Sequence, residues 1–346
     1  MVVHLNISHH LDDSRIKGKI IKSLISDNIE NVFIGHHKDS YKSNLLKEIV
    51  LPNFFFLNRF FAVCFNFFQI FLNLNRKIFF LHNFELLALS PILRLFGMIV
   101  IYDAHEDYRN YVKQNDRFSD AQKRFLSKLI ALFESFFANK FCNLITCPTN
   151  AIKRNFLEKK VILLPNYPLK SDFQDFSKNI NSEKIVIYAG LISKKKGILE
   201  LMEIAKNCLD DNSIKFIVCG KCYEPDIEEL LANLPQNVSY LGDLKHCEII
   251  DLLENASIGL CLLKNTPAYS ESMPLKIFEY INSDTFVIAS NFETWKFIED
   301  NDLGKLFKPE DINGVSKMIK EFKHSGLRNK RFYFDNYYQK LKEIYF

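Results

Sequence analysis

Short runs of large apolar residues alternate along the chain with longer stretches in which apolar positions recur at helical spacing, and this rhythm runs through the sequence twice. In the first half the short runs are Val2–Ile7, Val32–Gly35, Ile78–His82, Met98–Tyr102, Leu144–Cys147 and Val161–Leu164. Between them, Arg15–Ser26, Glu85–Phe96 and Ala121–Asn139 read as amphipathic helices. Apolar runs separated by helices predict a parallel sheet covered on both faces.

Pro165-Asn-Tyr-Pro168 and the polar stretch Leu169–Glu183 interrupt the rhythm and read as a linker. Strand patterns then resume at Ile185–Ala189, Ile214–Cys219, Val238–Leu241, Ile258–Leu262, Phe286–Ala289 and Gly304–Phe307. Helical patterns fall at Gly197–Cys208, Pro225–Leu234, Cys247–Asn255, Leu275–Asn282, Phe292–Asp300 and Asp311–Lys323. The expectation is an α/β chain of two Rossmann-like, doubly wound domains facing one another, at 1–168 and 184–330 with 169–183 between them. The closing helix 331–346 is expected to pack back on the first domain. Ligands of such sheets bind beyond the carboxyl ends of the strands.

The segment Leu51–Leu74 is dense in Phe, with Arg59, Asn66, Gln69 and Asn73 on one narrow helical stripe. It is a buried helix, or one lying on a membrane surface or facing a lipid-bearing acceptor. No stretch reads as a transmembrane span. A net charge of +4 over 346 residues does not suggest a nucleic-acid protein. The eight Cys fall mostly in apolar stretches, and Met1 runs straight into the first strand with no signal peptide. Reduced thiols in a cytoplasmic protein follow as the simplest reading. Cys219 and Cys222 have zinc spacing, but a second pair is lacking.

Candidate chemistry clusters just after strands. Tyr188-Ala-Gly190 ends one, and Lys194-Lys-Lys196-Gly197 precedes a helix, so Lys196 is placed to meet a phosphate. Gly220 ends the next strand and permits close backbone approach. In Glu271-Ser-Met-Pro-Leu-Lys-Ile-Phe-Glu279, Pro274 opens a helix whose free N–H groups, over Met273, Leu275 and Lys276, suit a diphosphate. Glu279 sits among apolar neighbours, and a carboxylate pairs well with vicinal hydroxyls. Glu271 precedes the helix, within reach of a sugar's hydroxyls. In the first half Asp103, His105 and Glu106 follow a strand, as do His82 and Asn83. Asp13 and Arg15 follow the first strand, where Asp13 or Ser14 would also cap a helix.

The second half resembles the donor domain of the GT-B glycosyltransferases of the retaining glycosyltransferase family 4. The resemblance rests on Glu271-x7-Glu279, on Pro274-x-Lys276-x-x-Glu279-Tyr280, on Tyr188-x-Gly190…Lys196-Gly197 and on Asn237-Val-Ser-Tyr-Leu-Gly242, whose counterpart lies near the nucleotide base. Asp103-x-His105-Glu106 and Asp13-Ser-Arg15 extend it to the first half. It implies a GT-B fold, a nucleotide-diphosphate sugar donor, and an acceptor that is a glycan or lipid-linked saccharide in bacterial surface-polysaccharide assembly. By the same resemblance Glu279 binds ribose, Glu271 and His105 meet the transferred sugar, Lys196 neutralises the diphosphate, and Asp13 and Arg15 line the acceptor cleft; His82 and Asn83, at their strand end, are acceptor-side candidates by position, as is Asp103, which would otherwise orient His105 or cap the next helix. No metal or other cofactor is expected, since cationic side chains and a helix N-terminus would replace it. Two departures stand out: Leu191 occupies a place where the family often has Arg, and the Glu-x7-Glu segment has no glycine. Lys194, Lys195 or Lys276 would supply the second cation.

Other readings of the same pattern are a sugar-nucleotide epimerase or hydrolase and a non-catalytic sugar-nucleotide-binding module. A nicotinamide-dependent oxidoreductase would need a Gly-x-Gly-x-x-Gly turn after the first strand, where Asn6-Ile-Ser-His-His10 stands instead.

Overall fold

The structure, a computed structural model, describes every residue except 10, 12, 36–42, 52–57, 74, 76, 114–116, 175, 180–182, 267–268, 324–330 and 346. The chain forms two compact units, Met1–Asn166 with Phe334–Phe346, and Tyr167–Tyr333. Parts of the expected elements, including Asp12 and much of the Phe-rich start of 51–74, lie outside the described residues.

The first unit holds seven parallel strands: β1 (Val2–Leu5), β2 (Asn31–Gly35), β3 (Leu46–Val50), β4 (Ile78–Leu81), β5 (Ile99–Asp103), β6 (Leu144–Cys147) and β7 (Val161–Leu163). Their order is β3-β2-β1-β4-β5-β6-β7. The inner strands β1, β4 and β6 are buried at every position, which is why they read as unbroken apolar runs. The edge strand β3, around Lys47 and Glu48, is only half-buried and lacks that signature, so sequence periodicity passes over it. The second unit holds β8 (Lys184–Ala189), β9 (Ile214–Cys219), β10 (Val238–Tyr240), β11 (Ala256–Cys261), β12 (Phe286–Ser290) and β13 (Gly304–Phe307), in the order β10-β9-β8-β11-β12-β13. All pairs in this sheet are parallel too.

Each sheet therefore reverses its winding once, between β1 and β4 in the first unit and between β8 and β11 in the second. At such a point the loops leaving adjacent strands run to opposite faces and open a crevice beyond the strand ends. Most candidate residues of the sequence analysis lie on loops or helices that follow the strands of these two sheets.

Several expectations need adjustment. The stretch 169–183 is no free linker. The chain passes between units at Asn166–Tyr167, and Lys178 Nζ fastens the stretch to the second unit through Leu253 O (2.8 Å) and Thr285 Oγ1 (3.0 Å). The segment after β1 begins as a π-helical turn, Ile16–Ile21, before the α-helix Lys22–Ser26. Asp103 is the last residue of β5 rather than a loop residue. Of the polar stripe on 51–74, Asn66 and Asn73 are buried while Arg59 is exposed, and Asn66 Nδ2 donates to Asn6 O (3.1 Å) and Ala62 O (2.7 Å). Phe68, Phe71 and Leu72 face outward instead. The closing helix Asp335–Tyr345 belongs to the first unit, where Tyr338 Oη donates to Asp27 (2.9 Å).

One contact ties the second sheet to the helix Leu275–Asn282. Tyr280 is fully buried with its ring over Gly259 of β11, and its hydroxyl accepts the N–H of Ala189 at the end of β8 (3.1 Å). A Cβ on residue 259 would stand 2.3 Å from that ring. Gly259→Ala should therefore cost about 1–3 kcal/mol through overpacking. A chemical denaturation midpoint equal to that of the parent would reject this packing.

Candidate functional site

In the second unit the crevice floor is backbone. Gly190 (φ +110°) follows β8 and Gly220 (φ +135°) follows β9. A Cβ on Gly220 would fall 2.0 Å from Gly190 O, so the two chains approach in a way only glycine permits. Gly190 N donates to Cys219 O (2.9 Å) and Gly220 N to Gly242 O (2.7 Å), which draws the Asn237–Gly242 segment into the same place. Cys219 and Cys222 are free thiols whose Sγ atoms contact the carbonyls of Tyr188 and Glu224, as structural cysteines do.

Two lysines converge above this floor. Lys276, in the first turn of the helix Leu275–Asn282, reaches back until its ammonium lies 4.1 Å from the centre of the Tyr188 ring. That Nζ is fully buried and makes no hydrogen bond among the described residues. A cation–π contact offsets only part of the hydration lost. Burial accordingly pushes the Lys276 ammonium below the usual lysine range. Lys196 falls to about 8, through burial and then through the charge of Lys276. Lys194 turns away to pair with Asp226. Leu191, where an arginine was expected, is exposed, and its carbonyl accepts the Tyr188 hydroxyl (3.0 Å). Of the three replacements considered for that arginine, Lys276 is the one at Gly190, with its Cε 3.6 Å from a Cβ built there.

Pro274 is the N-cap of the Leu275–Asn282 helix, and no side chain caps it. First-turn N–H groups of such a helix have no intrahelical partner and carry the positive end of its dipole. The preceding loop is held by Trp295 Nε1 donating to Ser272 O (2.8 Å) and Thr294 Oγ1 donating to Ser270 O (2.9 Å). Met273 lies in it part-buried, and Glu271 is exposed at its start. Glu279 is buried, with Oε1 2.6 Å from Nε2 of His246, which opens the helix His246–Leu253 and is 46% exposed. Nothing in the sequence around His246 marks it, because a solvent-facing histidine at a helix start has no distinguishing pattern.

In the first unit four candidates, Arg15, His82, Asn83 and Asp103, are buried. Asp103 receives Arg15 through two bonds, from Nε (3.0 Å) and Nη2 (2.7 Å), and Thr146 Oγ1 (2.7 Å). Arg15 Nη1 donates to Leu164 O (2.9 Å). Burial alone would raise the Asp103 carboxyl, but the Arg15 guanidinium and the two histidines beside it hold it well below the usual carboxylate range. His82 Nδ1 lies 3.4 Å from Asp103 Oδ2, and its Nε2 lies 3.0 Å from His4 Nδ1. Burial lowers the pKa of His82. Asn83 clamps the loop after β1, accepting Ile7 N (2.9 Å) and donating to Ser8 Oγ (2.6 Å). Arg15, His82, Asn83 and Asp103 are thus buried, and their chemistry is spent on protein groups.

His105 lies at the edge of this array, 9% exposed, with Nδ1 3.0 Å from Asp103 O and 3.3 Å from Asp103 Oδ2. Burial opposes its protonation, but Asp103 outweighs that and raises its pKa. Its Nε2 meets Nε2 of His9 at 3.0 Å. His9 Nδ1 in turn faces Asp13 Oδ2 at 3.3 Å. The other Asp13 oxygen accepts the N–H groups of Arg15 (2.9 Å) and Ile16 (2.7 Å), which is the helix-capping role foreseen for it. Burial would raise the Asp13 carboxyl, but the His9 contact and the Ile16 N–H hold it low. His9 is missing from the sequence reading, although its i, i+4 spacing to Asp13 was a usable sign.

Two parallel sheets of these orders, each with chemistry at its winding reversal, define the GT-B glycosyltransferase fold. Solved structures agree. Sucrose-phosphate synthase of Thermosynechococcus elongatus superposes with a TM-score of 0.73 at 15% identity, over 99% of this chain and 98% of that one. HepE of Anabaena, solved with UDP and glucose, gives 0.69 at 13% over 99% and 98%. WaaG, a glycosyltransferase involved in lipopolysaccharide biosynthesis, gives 0.69 at 13% over 93% and 91%. No curated protein matches by sequence. Residues 170–340 match the family described as glycosyl transferases group 1, and the chain is a glycosyltransferase.

The depressed Lys196 gives a stability test. Below about pH 8 the residue is charged in both folded and unfolded chains, and folding bears the cost of burying it. Between about 8 and the ordinary 10.5 the folded chain has released a proton that the unfolded chain keeps, so stability contributed here rises with pH. The unfolding free energy of the parent, minus that of Lys196→Met, should climb across this window. Parallel pH profiles would contradict the burial of Lys196.

Proposed function

We propose that this glycosyltransferase moves a sugar, with retention at the anomeric carbon, from a nucleoside diphosphate sugar to a glycan or lipid-linked saccharide in surface-polysaccharide assembly. The observation that carries the reading is the pair Lys196 and Lys276 over the Gly190–Gly220 floor, with Lys276 Nζ buried and making no hydrogen bond among the described residues, beside an uncapped helix N-terminus. A buried cationic pair is held there at a cost, and a dianionic leaving group would relieve it.

In this reading Lys196, Lys276 and the backbone at Met273–Lys276 take the diphosphate, with Gly190 and Gly220 allowing close approach. Glu279 takes the ribose hydroxyls, with His246 orienting its carboxylate, and Glu271 and His105 meet the transferred sugar. Asp103, Arg15, His82 and Asn83 act as positioning residues on the acceptor side, with Asp13. Catalysis comes from placement and from stabilising the departing diphosphate charge. The metal-free donor grip is part of the proposal. HepE, solved with UDP and with UDP-glucose, supports a uridine nucleotide as the first donor to try.

The proposed site of action is the cytoplasm, at the inner membrane face. Among the described residues no helix is long and apolar enough to cross a membrane. Exposed Phe68, Phe71 and Leu72 on one helix, with Phe125, Leu129, Leu132 and Phe136 beside Arg124, Lys128 and Lys140 on Asp120–Phe141, favour contact with an anionic lipid surface.

A nucleoside diphosphate at about a hundred times its dissociation constant should stabilise the parent by about 2.7 kcal/mol, read as a thermal shift. The shift should disappear in Glu279→Ala and survive EDTA. A full shift in that variant would count against the site. With labelled donor and membranes, sugar should pass to an acceptor; epimerised or free sugar alone would favour the epimerase or hydrolase reading.

A further inference from the structure

The contact between His9 and His105 is one proton short if both rings are neutral. His105 Nδ1 stands 3.0 Å from Asp103 O, a carbonyl that only accepts, so this nitrogen carries a proton. His9 Nδ1 faces Asp13 Oδ2 at 3.3 Å, and that carboxyl is held low, so it accepts as well. Between the rings the two Nε2 atoms are 3.0 Å apart, an ordinary hydrogen-bond length. Three contacts need three protons, and two neutral imidazoles bring two. A third proton between the Nε2 atoms completes the chain and makes the pair one imidazole and one imidazolium.

Charge leads to the same number. Among the described residues the ionisable groups facing the pair are Asp13 from the loop after β1, Arg15 from the turn that follows, His82 just after β4, Asp103 at the end of β5 and Glu106 just beyond it. Glu106 is exposed. His82, pushed down by burial, is neutral. Asp13 and Asp103 against Arg15 leave one negative charge, which a single imidazolium offsets. A second imidazolium would set two cations 3.0 Å apart. Burial opposes protonation of His105, and Asp103 overcomes it, which is the direction this balance requires.

We propose that His9 is a positioning residue for His105: the two rings share one proton and one positive charge through their Nε2 atoms, and this keeps Nε2 of His105 a hydrogen-bond donor. The use made of that donor rests on the proposed function, in which His105 meets the transferred sugar; the sugar then offers it an accepting oxygen in exchange for His9. Loss of the shared proton sets two lone pairs against each other and releases the ring. The charged form is favoured in the folded chain, so the pair's contribution to stability is complete below 6.5, the ordinary histidine value, and is lost as pH rises through the raised folded value.

The test uses the full chain with nitrogen-15 in its histidines, followed by two-bond proton–nitrogen spectra from about pH 9 to about pH 5. In the parent, His9 and His105 together should take up one proton over this range, with their Nε2 resonances moving in step and both Nδ1 resonances staying at protonated positions. His9→Ala should bring the His105 midpoint down by about one pH unit, and the alkaline limb of kcat, followed with labelled donor, should move with it. His9→Gln supplies an amide that accepts from His105 and donates to Asp13, and should return both toward the parent. Two independent protonations in the parent, or none, would overturn the shared proton. An alkaline limb at the same pH in the parent and in His9→Ala would overturn the positioning role. Failure of the donor reading shows instead in the nucleoside diphosphate thermal shift and leaves the proton count of the pair unchanged.

Discussion

In each unit the first strand is hydrogen-bonded on both sides by parallel partners, and the rest of the molecule's chemistry follows from that constraint. β1 lies between β2 and β4, and β8 lies between β9 and β11. A parallel sheet needs crossovers, and crossovers that depart to opposite sides of one strand leave its carboxyl end uncovered. Loops there carry backbone groups and side chains that no helix covers. Gly190, Lys196 and Gly197 follow β8, His9, Asp13 and Arg15 follow β1, and His82 and Asn83 follow β4.

The two uncovered ends are treated in opposite electrostatic ways. In the first unit charge is compensated in depth: Asp103 has a guanidinium, a hydroxyl and histidines on it, and Arg15, His82 and His105 each meet a further group. Breaking such a buried pair leaves the remaining charge stranded, a cost of about 3–5 kcal/mol, so this array behaves as one rigid block. In the second unit the Lys276 ammonium is buried against an aromatic face with no hydrogen bond among the described residues, and Lys196 stands near enough to be depressed by its charge. Burying that ammonium costs stability, a cost that the proposed diphosphate would relieve.

The second unit's site was largely legible in the chain. Strand-ending glycines, a lysine run before a helix, and two glutamates around a proline-led helix start all depend on local order, which sequence displays. Lys276 was considered only as one of three replacements, because burial of an ammonium is not a local property. The role of Tyr280 as a brace between Gly259 and Ala189 joins residues 21 and 91 positions apart in the chain, and a motif cannot show it. Residues treated as acceptor-facing, His82 and Asn83, are buried, because a residue after a strand faces either the crevice or the loop beside it, and the sequence does not say which.

The sequence by itself determined the two rounds of parallel strands, the complete burial of β1, β4 and β6, and the strand ends where the candidate site residues gather. Periodicity and strand-end residues are properties of neighbours in the chain, and they survive folding unchanged. Tertiary structure alone decided that Asn66 of the Asn58–Leu72 helix is buried, that Lys194 pairs outward while Lys276 Nζ makes no hydrogen bond among the described residues, and that His9 meets His105 nose to nose. Each of these depends on which distant segment fills the space opposite, and that choice is made by packing the whole sheet rather than by any stretch of it.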